Sequence, residues 1–243
     1  LPTIITDNSQ VNLPKISQNN IIRVDINESE YFLIENRINH YRNGVSIDSI
    51  RFKTWQDTDN YPSFIKSLKD SVNIEYDDNG VITRIPDYDI GLPGSGLLIW
   101  HIDENRIQYS IDDYSINKDI NLPGIDIEEA DGAQDIGQQS FFMFNDPSSG
   151  YFGDMWFADN EEYYRANPQS EGSLPSFYEN TYPNTNSNNG SNSHISIENI
   201  GSAKDTATFN IINNLKPFGY GDSSAFYRAS FELSDLESPI LIG

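Results

Sequence analysis

The chain has 243 residues, enough for one large β domain or a domain with an appendage, and enough to bury a sizeable core. It carries 37 Asp and Glu against 15 Lys and Arg, a formal charge of −22, which argues against nucleic acid as a partner and for cations, solubility or a saline habitat. Cysteine is absent, so disulfides, thiolate zinc sites and cysteine nucleophiles are excluded, and extracellular stability has to come from packing or bound ions, calcium being the usual candidate.

No run approaches the roughly 18 consecutive apolar residues of a membrane span. The start, Leu1-Pro2-Thr3-Ile4, lacks the basic head and apolar core of a signal peptide, so the true N-terminus is expected upstream. Residues 1–26 give short apolar patches broken by Pro2 and Pro14, then a strand over 21–26 in which Ile22, Val24 and Ile26 alternate with Arg23 and Asp25. A turn at Asn27-Glu28-Ser29 leads to a second strand over 31–35, so the opening reads as a meander. Asn43-Gly44 precedes another alternating segment over 45–52, and His40 reads as a surface or turn histidine because no partner lies at ligand spacing.

The spacing predicts one helix, over 61–72: Asp59 or Asn60 can cap it, Pro62 suits its first turn, and Phe64, Ile65, Leu68 and Val72 share a face. A hairpin is expected over 72–85 about Asn79-Gly80, with Tyr76 facing Thr83 and Glu75 facing Arg84. The apolar run Leu97-Leu98-Ile99-Trp100 after Pro93-Gly94-Ser95-Gly96 reads as a strand buried on both faces, with Leu97 to Asp103 at the centre of the domain. Beyond the run, alternation puts His101 and Asp103 on one face, so the strand passes from core to polar rim within a step.

Residues 106–122 read as polar and irregular, followed by a short strand at Ile125-Asp126-Ile127. The aromatic-rich stretch 140–164 reads as a loop region pinned by buried anchors, with sugar or peptide stacking as the alternative. The Asn, Ser and Thr of 181–193 read as a solvated loop. Alternation over 194–200 and 206–211 then predicts a closing hairpin. The expected architecture is mainly β: an antiparallel sheet or sandwich-like domain over 1–214, with one helix and long irregular loops. Residues 215–243 form a C-terminal extension or the start of a following domain, and 225–242 could supply a further strand pair.

Three ordered blocks carry a resemblance: Glu30-Tyr31-Phe32-Leu33-Ile34-Glu35-Asn36-Arg37, Leu92-Pro93-Gly94-Ser95-Gly96 running on to Glu104, and Asp126-Ile127-Glu128-Glu129-Ala130-Asp131-Gly132. Over roughly residues 1 to 212 the chain resembles the region that follows the catalytic motif in secreted metallopeptidases of the immune inhibitor A type, which are peptidase M6-like. The resemblance implies an extracellular or cell-surface protein, a zinc-dependent parent activity, and a β module that packs on the catalytic domain of the same polypeptide. Histidines 40, 101 and 194 never fall at the spacing of a His-Glu-x-x-His zinc helix, so either zinc is held by a catalytic domain upstream of this chain, as the resemblance implies, or the parent has lost the motif; this chain alone should hydrolyse nothing. The alternative class is a surface adhesion or assembly module that binds glycan or protein.

Other chemistry has less behind it. No Gly-x-Ser-x-Gly elbow occurs, and carboxylate pairs for glycoside hydrolysis, drawn from Asp103, Glu104, Glu128 and Glu129, are available in any chain this acidic. The acidic block from Asp126 to Asp135, beside Gly132 and Gly137, suits a hard cation that takes roughly six to eight oxygens, although it lacks EF-hand spacing. The competing account is a solvated acidic edge. From the resemblance, calcium ligands are expected at Glu129, Asp131, Asp135 and Asp154; Asp146 is added on composition. His101 is expected to be half-buried and hydrogen-bonded to Asp103 or Glu129 instead of binding metal.

Overall fold

The computed structural model describes residues 1–16, 20–38, 75–84, 89, 92–138, 150–214, 230–232 and 240–242. The helix expected over 61–72, the segment 45–52, His40, Asp146 and the phenylalanines at 141, 142 and 144 lie outside these residues.

The described chain is mainly β, as its alternating patterns predict. A five-stranded sheet has the order β1-β3-β4-β7-β8, built from Thr3–Ile4 (β1), Ile22–Asp25 (β3), Glu30–Arg37 (β4), Gly96–Asp103 (β7) and Ile125–Ile127 (β8). Its pairings are antiparallel except that of β1 with β3. A three-stranded antiparallel sheet places Thr206–Asn213 (β10) between Ser9–Pro14 (β2) and Ile195–Glu198 (β9). Both sheets feed one apolar cluster: Val11 and Leu13 of β2, Ile22 and Val24 of β3, Phe32 and Ile34 of β4, Leu97 and Ile99 of β7, and Phe209 and Ile211 of β10. Burying these side chains, each worth about 1.5–3 kcal/mol, makes the two sheets one folding unit.

Seven of the eight residues of β7 are buried, as expected of its apolar run. The middle of the sheet order, however, belongs to β4, because β8 is the last strand beyond β7. Gly96 explains how β7 starts: its φ of 156° and the approach of the Trp156 carbonyl, which would lie 2.6 Å from any Cβ, leave room for hydrogen alone. The chain there forms a two-way bridge, Leu97 N donating to Trp156 O at 2.8 Å and Trp156 N to Leu97 O at 3.0 Å.

Four expectations need correction. Residues 106–122 are not irregular throughout, because Glu104–Ser110 forms a helix (α1), capped by the Asp103 carboxylate, which accepts from Arg106 N. This helix buries no residue, so it lacks the apolar stripe by which sequence reveals helices. A second helix, Glu161–Ala166 (α2), capped by Asn160, lies within the aromatic stretch. That stretch does supply anchors: Trp156 and Tyr163 are buried with rings 5.6 Å apart, and Trp156 packs 5.2 Å from Phe177.

The segment 181–193 is not a solvated loop: Thr181, Thr185, Ser187 and Ser193 are buried. Its polar side chains serve the backbone, as when Thr185 Oγ1 donates to Ile195 O at 2.8 Å. In the hairpin of Glu75–Tyr76 (β5) and Ile82–Arg84 (β6), Tyr76 stands opposite Ile82, not Thr83, while Glu75 does pair with Arg84. The cause is local. Gly80 N closes a turn on Asp77 O and Gly80 alone has positive φ, so the loop is one residue longer than a two-residue Asn-Gly turn, and a bulge restores the register. Near the C-terminus, Ser230–Glu232 (β11) and Ile240–Ile242 (β12) pair as an antiparallel ribbon.

Candidate metal centre

The inner face of the five-stranded sheet changes character along its length. Register places Asn36 beside Leu97, Ile34 beside Ile99, Phe32 beside His101 and Glu30 beside Asp103, so one end is apolar and the other charged. At the charged end His101 is buried between two carboxylates, with Nδ1 2.9 Å from Glu128 Oε1 and Nε2 2.8 Å from Glu30 Oε1. Burial alone would discharge the imidazole, but the hydrogen bonds and charges of Glu128 and Glu30 raise its pKa to about 9. Burial also opposes charge on Glu30, yet hydrogen bonds from His101, the Asn188 amide and Asn27 hold its carboxyl below the usual range. The expected partners of His101, Asp103 and Glu129, are therefore replaced by Glu30 and Glu128.

Asp103 instead accepts from Arg106 N, Arg106 Nε and Asn188 Nδ2. Asn188 thus joins the segment 181–193 to β4 through Glu30 and to β7 through Asp103. These contacts span up to 158 residues of sequence, which is why no local pattern shows them.

The acidic block lies where β8 ends. Glu128 turns toward His101 and the next residue, Glu129, turns the other way, so the alternation of an extended chain serves two clusters. Gly132 N donates to Glu129 O at 2.9 Å to close a turn, with Gly132 at φ 75°. The Gln134 side chain then fills the loop, accepting from Glu129 N and donating to Ile127 O. A 3-10 turn, Phe152–Asp154, brings in Asp154, and Ala130 N donates to Asp154 O at 2.9 Å. Asn160 secures that turn by donating to the carbonyls of Gly153 and Met155.

The result is that Glu129, Asp131 and Asp154 each present a carboxylate oxygen within 4.8 Å of the others. Glu129 and Asp154 are 1% and 2% exposed, and among the described residues no ion pair reaches any of the three. Burial, with the charges of Asp135 and Asp131, pushes the Glu129 carboxyl up to about 7 despite amide donors from Ile136 and Asp135. Burial, with the charges of Asp131, Glu129 and Asp135, pushes Asp154 up to about 8 despite the Tyr151 amide. Asp135 thus lies close enough to act on both, but outside the three that converge.

The donor set fits a hard cation. Oxygens about 2.3–2.6 Å from a calcium ion lie up to about 5 Å apart across it, which the observed separation allows. Glu129 Oε2 and Oε1 each take one amide hydrogen, from Asp135 and Ile136, and each keeps a second lone pair. All three ligands are carboxylates and His101 is engaged elsewhere, so the set does not suit zinc. Glu129 and Asp131 fall in the acidic block that charge spacing singles out in the sequence, whereas the ligand set with Asp154 in it comes from the resemblance. Comparison with known proteins adds no name: no family model, no curated protein and no solved structure matches the chain.

Proposed function

We propose that the chain is a calcium-stabilised, non-catalytic β module of a secreted metallopeptidase-like protein of the immune inhibitor A type. The observation that carries the reading is the convergence of Glu129, Asp131 and Asp154, two of them buried, with no cationic side chain paired to them among the described residues. The three blocks that carry the resemblance support the family half, since they fall on β4, on β7, and on β8 with its following turn, which are neighbours in one sheet. Bound calcium would neutralise the carboxylates and cross-link the turn after β8 to the 3-10 turn at Asp154. Zinc and the catalytic base belong to the catalytic domain of the parent polypeptide, the module's natural partner.

Thermal unfolding with calcium, magnesium or chelator tests the calcium half. A ligand at a hundredfold excess over its dissociation constant adds about 2.7 kcal/mol, so calcium should raise the midpoint, magnesium much less, and Asp131→Asn should abolish the response. If chelation leaves the wild-type transition unmoved, no ion holds the three carboxylates together and the calcium half is overturned. The family half stands or falls separately, on whether the parent gene encodes a His-Glu-x-x-His helix upstream of this region.

A further inference from the structure

A cleft of about 600 Å³ opens beside the charged end of the five-stranded sheet, between the start of β4, α1 with the chain after it, and Asn188 and Asn189. This is within the usual range of small-molecule sites. It lies apart from the acidic turn: none of Glu129, Asp131 and Asp154 lines it.

Its charges are answered in place. Glu30 is paired with His101 at 2.8 Å and Asp103 with Arg106 at 3.0 Å. Of the lining acids, only Asp119 has no ion pair among the described residues. Because His101 is shared between Glu30 and Glu128 and Asp119 has no ion pair, the cleft keeps a mild negative charge in a chain of −22; an anion is repelled, while the carboxylates of Glu30 and Asp103 that a cation would need are already engaged by His101 and Arg106. What remains on the walls is amide and hydroxyl: among the described residues Asn189 keeps its Nδ2 donors, Asn105 one donor and its carbonyl, and Asn188 its Oδ1 acceptor, its Nδ2 being spent on Asp103 and the Pro123 carbonyl. Among the lining residues Tyr109 is 92% exposed, a large ring that covers almost nothing in its own molecule, and Leu122 is 39% exposed.

An aromatic face next to paired amides matches a pyranose, whose C–H face is apolar and whose edge is hydroxyl. The wall is also set before any ligand arrives, because the Asn188 amide is held by Glu30 and its side chain by Asp103. We propose that this cleft binds a neutral saccharide, stacked on Tyr109 and hydrogen-bonded through Asn105, Asn188 and Asn189.

The test is titration of the full chain, followed by amide NMR shifts, with galactose, mannose, N-acetylglucosamine and maltose. Glucosamine, N-acetylneuraminic acid and a lysine-rich peptide are the charged probes. At least one neutral sugar should shift the amides of α1 and of Asn188 and Asn189 saturably. Tyr109→Ala should weaken that binding about tenfold and Tyr109→Phe should retain it, with the melting temperature unchanged in both. Asn189→Ala should weaken it a few-fold. The proposal is overturned if no neutral sugar saturates the site, if Tyr109→Ala leaves binding intact, or if only the lysine-rich peptide binds, which would make the cleft a site for basic peptides.

Discussion

His101 owes its charge to Glu30 and Glu128, and its ring also packs 4.8 Å from Phe32, so the imidazolium is enclosed on the core side. Free imidazole titrates near pH 6.5 and this one near pH 9, so the folded state holds a proton that the unfolded chain releases. The stabilisation is therefore complete below about pH 6.5 and is lost as the pH climbs to about 9, a decline on the order of 3 kcal/mol. Urea unfolding at several pH values should show this fall, and His101→Gln should make it shallower without abolishing it, because Glu129 and Asp154, pushed up to about 7 and about 8, add a decline of the same sign that the substitution leaves in place. That substitution also leaves two buried carboxylates facing a neutral amide, a loss of about 3–5 kcal/mol where a buried pair is broken. A wild-type stability that is level across this range would contradict the buried imidazolium. At this scale sequence showed that His101 faces a polar rim, but its partners come from β4, 71 residues away, and from the residue just after β8.

Single elements were legible where burial follows a period. The strands β3, β4, β7, β9 and β10 alternate or run apolar, and each lies within two residues or so of its expected place. Two kinds of element escaped. The helix α1 turns no side chain inward, and the segment 181–193 is buried through hydroxyls and amides that composition assigns to solvent. The sharpest local requirement is at the start of β7, where Gly96→Ala would push a methyl into the Trp156 carbonyl. Because backbone cannot yield as a side-chain tip does, the cost should be about 1–3 kcal/mol. Differential scanning calorimetry of Gly96→Ala and of Gly137→Ala separates crowding from backbone strain. Both glycines have positive φ, but a Cβ at Gly137 meets nothing within 4 Å, so its loss should be the smaller.

Over the whole molecule, a charge of −22 means that self-repulsion opposes compaction everywhere while the acidic turn concentrates it. Sodium chloride should raise the melting midpoint by screening, each kcal/mol gained appearing as about 2–4 °C in a domain of this size. Calcium should exceed sodium at equal ionic strength in the wild type and match it in Asp131→Asn; equal responses in the wild type would leave screening as the whole effect. The pairing of β2 with β10, Pro14 opposite Thr206, has a consequence of a different kind. On the ribosome β2 emerges roughly 190 residues, or about 10–40 s at ordinary elongation rates, ahead of the strand that pairs with it. Through that interval, among the described residues, Val11 and Leu13 lack the strand that pairs with β2 and are covered only by the β3 and β4 side of their cluster. This edge of the core is thus held open by topology, in need of shielding from aggregation until β10 arrives, and β2 with β10 is the strand pairing of longest reach among the described residues.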